Sequence, residues 1–94
     1  MRIRWLEAAS RDLDRAAAYI ARDDPGAASR AVLRVVGAVG HLAANPGMGR
    51  VGRVEGTREL VVSDTPFIVP YRVKNGLVEI LRVFHHAQKW PEGF

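Results

Sequence analysis

Apolar residues recur at Leu6, Ala9, Leu13, Ala16, Ala17 and Ile20, in steps of three and four that place them on one face of a helix running to about Arg22. Asp24-Pro25 then supplies an N-cap and a proline at the first helical position, where a missing N–H is no loss. A second stripe, Ala28, Val32, Val35, Val36, Val39, Leu42 and Ala43, carries helix 2 to an end near Asn45-Pro46. The connection between them is only a few residues long, which predicts an antiparallel helical hairpin. Ala16 and Ala17 facing Gly37 and Gly40 predict close backbone approach, offsetting the roughly 1 kcal/mol that each glycine costs a helix relative to alanine. Ahead of the hairpin, Ile3 to Trp5 reads as a short strand.

Beyond Pro46 the helical period is lost. Three strand-like runs follow, Arg58 to Ser63, Phe67 to Val73 and Leu77 to Phe84. Asp64-Thr65-Pro66 separates the first two. Lys74-Asn75-Gly76 separates the others, and its Asn-Gly pair accepts the positive φ angles of a type I′ hairpin turn. Pro70 lies inside the middle run, where proline removes a ladder donor, so a local irregularity is expected there. The predicted order is β-α-α-β-β-β. This is an α+β fold, one domain over residues 1–94, with the helical hairpin on one face of a small antiparallel sheet.

Composition adds a partner class. The 94 residues are 48% hydrophobic, as in ordinary soluble domains, and carry 14 Lys+Arg against 10 Asp+Glu for a net charge of +4. Twelve of the cations are arginine, the side chain suited to bidentate contact with carboxylate or phosphate, so an acidic partner is expected, either nucleic acid or protein. There is no cysteine, hence no disulfide, thiolate nucleophile or cysteine zinc site. No apolar run approaches the roughly 18 residues of a membrane span, and the charged N-terminus leads into no signal-like segment, so the reading is cytoplasmic and not membrane-bound.

Candidate chemistry centres on the stretch PGMGRVGRVEGTRELVV from Pro46 to Val62. Gly47, Gly49 and Gly52 match G-x-G-x-x-G, but they follow a helix and precede a strand, the reverse of what a dinucleotide site needs, so no helix N-terminus would meet a phosphate. What remains is a flexible loop presenting Arg50, Arg53 and Arg58 to an acidic partner. Along the last run strict alternation puts Val78, Ile80, Arg82, Phe84 and His86 on one side and Leu81, Val83 and His85 on the other. The adjacent histidines then diverge, and with no H-E-x-x-H pattern this predicts no metal site and no cofactor. Ser10, Ser29 and Ser63 lie in no nucleophile-elbow context. General acid–base cleavage of RNA needs only a proton acceptor, a donor and cations, which Glu55, Glu59, Arg58, Arg72, His85 and His86 supply on paper. Structural pairing is the favoured reading: Glu59 as a solvent-facing strand-end residue, and Arg72 and Arg82 as cross-strand partners of Glu59 or Glu79. Trp90, a single aromatic beside Lys89, reads as a lid on the core, and His41 as a helix-surface or packing residue.

Four blocks in order, Leu42 to Arg50, Gly56 to Val62, Ile68 to Val73 and Ile80 to Pro91, resemble the RelE/ParE superfamily of bacterial toxins from type II toxin–antitoxin systems. The resemblance spans nearly the whole chain. It implies a small growth-inhibiting toxin held in a hetero-oligomer by a cognate antitoxin whose C-terminal segment wraps it. It leaves two activities open: ParE-like inhibition of DNA gyrase by protein contact, and RelE-like cleavage of mRNA on the ribosome. In an ungapped comparison Ile68 takes the place of the nuclease branch's third-strand arginine, and Met48 falls near a carboxylate position. Only His85 and His86 match the terminal nuclease residues, and they join Arg58 and Arg72 as the catalytic set of that branch. The Gly-Thr-Arg-Glu-Leu and His-x-Ala-Gln-x-Trp-Pro blocks look ParE-like, which makes gyrase inhibition the first reading and Arg50, Arg53, Arg58, Arg82, His86 and Trp90 the expected contacts with antitoxin or target. A plain basic nucleic-acid-binding module stands as a further alternative.

Overall fold

A computed structural model describes residues 1–94. Strand β1 (Arg2–Trp5) leads into helices α1 (Glu7–Ala21) and α2 (Pro25–Gly40), followed by a 3-10 turn (His41–Ala43) and strands β2 (Arg50–Val51), β3 (Arg58–Val61), β4 (Phe67–Lys74), β5 (Leu77–Ile80) and β6 (Phe84–His85). The expected N-cap forms: the Asp24 carboxylate accepts from the Ala27 N–H at 3.0 Å, with Pro25 opening α2. Ala9, Val35, Val39 and Leu42 bury the inner faces of the hairpin against Leu60, Val69, Tyr71, Val78 and Ile80 of the sheet, forming the main core. Leu13, Ala16 and Ile20 pack on its margin.

The sheet order is β1-β5-β4-β3-β2, with β6 also on β4. It is mixed where an antiparallel sheet was expected, because β1 lies parallel to β5, Ile3 beside Val78. The β4–β5 turn is the predicted one, with φ +53° at Asn75 and +73° at Gly76.

The irregularity expected at Pro70 appears on its neighbour. Pro70 O accepts from the Leu81 N–H at 3.0 Å. A strand residue turns its N–H and C=O to the same side, so the donor that proline lacks would also face this segment. There the ladder bulges: Leu81, Arg82 and Val83, between Ile80 and Phe84, oppose only Val69 and Pro70, between Ile68 and Tyr71. The last run is therefore two strands, not one. The extra residue inverts the parity expected for it. Val78, Ile80 and Val83 join the helix-side core, whereas Phe84, paired with Ile68, packs on the far side against Trp90.

The close approach assigned to Gly37 and Gly40 does not occur. Both are exposed, and a Cβ at either would meet nothing within 4 Å. Gly37→Ala and Gly40→Ala should each raise stability by about 0.5–1 kcal/mol, read as an increase in thermal midpoint, since alanine lowers the entropy of the unfolded chain without a clash.

Candidate partner-binding site

The glycine and arginine stretch is a pinned strap, where a flexible loop was expected. Tyr71, fully buried, donates its hydroxyl to Pro46 O at 2.7 Å and accepts from the Gly49 N–H at 2.8 Å. Gly49 has no room for a side chain, since a Cβ would fall 2.6 Å from Tyr71 Cε1 and 2.9 Å from Glu59 O. Arg50 pairs with Glu59 and Val51 with Arg58, making β2 an edge strand. Gly52 N–H closes the stretch on Thr57 O at 2.9 Å.

Glu59 is the centre of this region. It was expected at the solvent, yet its side chain is only 3% exposed. One carboxylate oxygen accepts from Arg50 Nε at 3.0 Å and Nη2 at 2.9 Å, the other from Arg53 N at 2.8 Å and Nε at 3.1 Å. Burial alone would push this carboxyl up. The Arg53 backbone N–H and the two guanidinium groups outweigh burial and hold it below its ordinary 4.5. With its edge on Glu59, the Arg53 guanidinium stacks a face on Trp90, 3.5 Å from the ring centroid, and Trp90 leans on Phe84 at 4.8 Å. Trp90 thus covers a small second cluster, consistent with a lid.

The other arginines singled out are also engaged within the chain. Arg58 Nη1 donates to Gly49 O at 2.8 Å. Arg72 pairs with Glu79 across β4 and β5 at 2.7 Å, as expected. Arg82 finds neither Glu59 nor Glu79; it grips Asp12 of α1 with Nε at 2.7 Å and Nη2 at 3.0 Å, while the Val83 N–H shares that carboxylate. Asp12 carries no sequence signal for this role, since 70 residues separate the partners.

His85 and His86 do not diverge. Their ring centroids lie 4.7 Å apart, because a turn closed by Gln88 N–H on His85 O begins at once and ends the strand alternation. The nuclease set is not gathered, however. Arg58 stands opposite Tyr71 and His85 opposite Phe67, four residues or about 13 Å along β4, and Arg72 lies on the opposite face from Arg58. No group of three or more His, Cys, Asp or Glu side chains comes together in metal-binding geometry.

Between α2 and β3 runs an open groove of about 580 Å³, lined among others by Leu33, Arg34, His41, Met48, Arg50 and Val61. Leu33 is 71% and Met48 48% exposed on the groove, whereas the Val61 side chain, 53% exposed, lies in the Ile68 row on the far side of the sheet and Val61 meets the groove through its edge backbone. Beside it the sheet edge is half covered. β2 reaches only to Arg50, opposite Glu59, so two residues on, the N–H and C=O of Val61 turn to an edge with no strand. Leu33 and Met48 were missed as site residues, although Leu33 stands off the predicted apolar stripe and was legible on that ground.

A hairpin of helices packs on one face of a mixed sheet, and an apolar groove runs along an open sheet edge. The family described as ParE toxin of type II toxin-antitoxin system, parDE, matches residues 3–90, and the chain belongs to it. Among its relatives is a protein of Sinorhizobium fredii named "Putative toxin Y4kP", 53% identical over 97% of this chain and 94% of that one. The toxin RelE2 of Caulobacter vibrioides is 39% identical over 89% of this chain and 93% of its own length. A solved structure titled "Chromosomal ParDE TA system from P. aeruginosa" superposes with a TM-score of 0.81 at 36% identity, covering 90% of this chain and 95% of that one.

Proposed function

We propose that this ParE-family toxin inhibits DNA gyrase by protein contact in the cytoplasm, and that a cognate antitoxin neutralises it by seating a segment in the α2–β3 groove. The groove carries the antitoxin part of the reading, because it pairs exposed apolar side chains with free backbone hydrogen-bonding groups and two arginines at its walls. An antitoxin strand laid along Val61 would extend the sheet, its apolar side chains would cover Leu33 and Met48, and its carboxylates would meet Arg34 and Arg50. The dispersal of Arg58, Arg72 and the histidines supports protein contact over catalysis.

Leu33→Asp and Val61→Asp, both at exposed positions, should leave the fold intact and weaken antitoxin binding by about tenfold or more in a titration. Unchanged affinity in both would remove the groove from the interface. The target is tested by a supercoiling assay with purified toxin beside a ribosome-dependent translation assay with mapping of mRNA ends. Loss of supercoiling with intact mRNA is the expected result. The adjacent exposed histidines favour the rival, a RelE-like ribonuclease, and mRNA cleavage that disappears in His85→Ala or His86→Ala with gyrase unaffected would establish it.

A further inference from the structure

On the sheet face turned away from the helices, cross-strand register builds two rows, Arg2, Leu77 and Lys74, then Arg4, Glu79 and Arg72. Arg72 is matched by Glu79, whereas Arg2, Arg4 and Lys74 are exposed and hold no ion pair. Three unneutralised cations therefore share one flat area at the β1 end of the sheet. Their field is felt by Glu79: the hydrogen bond from Arg72 outweighs partial burial, and Lys74 and Arg4 add to the lowering of its carboxyl pKa.

We propose that this patch docks the phosphate backbone of duplex DNA. Arg2 and Arg4, like Arg72 and Lys74, are two residues apart on one strand, about 6.7 Å, and β1 and β4 lie about 10 Å apart across β5, a grid of cations suited to a dense run of backbone charge. The patch offers phosphate contacts without base contacts. Trp5 lies in the Tyr71–Ile80 row on the helix side, and Trp90 is held between Arg53 and Phe84. Neither tryptophan offers the patch a stacking platform for splayed single-stranded bases, and the half-exposed Phe94 lies against Phe84, outside the two rows. A protein partner would want an apolar anchor, and Leu77, the one apolar side chain in the two rows, is half-buried. The proposal deepens the gyrase reading, since gyrase presents DNA, but it is measured without gyrase.

The test is fluorescence anisotropy of a short labelled duplex against the purified chain over a series of salt concentrations. Arg2→Gln/Arg4→Gln/Lys74→Gln should weaken binding by about tenfold or more at low salt and make the log–log salt slope shallower by about 2.7, three lost contacts at about 0.9 each. Lys74→Gln alone should shift the slope by about 0.9 in the same direction. Arg11→Gln/Arg22→Gln/Arg30→Gln, which removes equal charge from the helix layer, should bind within about twofold of the parent. Equal losses in the two triple variants would overturn the proposal, as would no loss in the sheet-face variant. Tighter binding of single-stranded RNA or of polyglutamate than of the duplex would also overturn it, by assigning the patch to those partners. Gyrase left active by a toxin that still binds DNA through these residues would sink the gyrase reading alone.

Discussion

Glu59→Ala should lower stability by about 2–3 kcal/mol, a fall in thermal midpoint of roughly 10–20 °C for a chain of this size. Breaking a buried ion pair costs about 3–5 kcal/mol when the surviving charge is trapped. Here the side chains of Arg50 and Arg53 are 52% and 48% exposed and can turn to water, which discounts that figure. The Arg53 N–H is left without its acceptor, and a cavity opens where the carboxylate stood. The same clamp sets an acid dependence. The folded pKa of Glu59 lies below the ordinary 4.5, so its contribution is complete above the unfolded pKa and is lost as pH falls through the folded one. Glu59→Gln keeps the shape, cannot ionise, and should lose less stability between about pH 7 and about pH 3 than the parent does. Thermal melts at the two pH values check both statements, and an equal acid loss in the parent and Glu59→Gln would show that Glu59 is not the titrating group.

The helices were legible because their information is local. One stripe of apolar residues, an N-cap aspartate and a proline identify α2 from about twenty consecutive positions, and the Asn75-Gly76 turn needs only two. The parallel pairing of β1 with β5 depends on residues more than seventy positions apart and has no local signature. Pro70 did announce an irregularity, but its consequence falls on the partner strand, where one inserted residue sends Phe84 and Val83 to opposite sides from those that alternation assigns. Electrostatics were legible in kind and not in connection. An arginine-rich exit from the strap was plain in the sequence; that Arg50 and Arg53 close on Glu59, and Arg82 on Asp12, follows only from folding distant segments together.

Gly49→Ala and Tyr71→Phe probe the pinning of the strap from its two sides, and both should carry large effects. The new methyl group in Gly49→Ala would sit 2.6 Å from Tyr71 Cε1, 2.7 Å from its hydroxyl and 2.9 Å from Glu59 O. Neither a fully buried ring nor strand backbone can yield cheaply, so the expected loss is about 3 kcal/mol. Tyr71→Phe keeps the ring but orphans the buried Gly49 N–H and releases Pro46 O, for about 2 kcal/mol. Together they should be less than additive, because phenylalanine removes one of the atoms the new methyl strikes and a strap already displaced has no hydrogen bond left to lose. Denaturant melts of the two single variants and the double close this cycle; strict additivity would mean that the two sites do not share the strap. Met48 and Arg50 are carried to the groove by this strap, so both variants, at temperatures where they remain folded, should also bind antitoxin more weakly, although neither Gly49→Ala nor Tyr71→Phe alters an exposed apolar residue of the groove. Stability loss with unchanged antitoxin affinity would separate the strap's structural role from any part in presenting that surface.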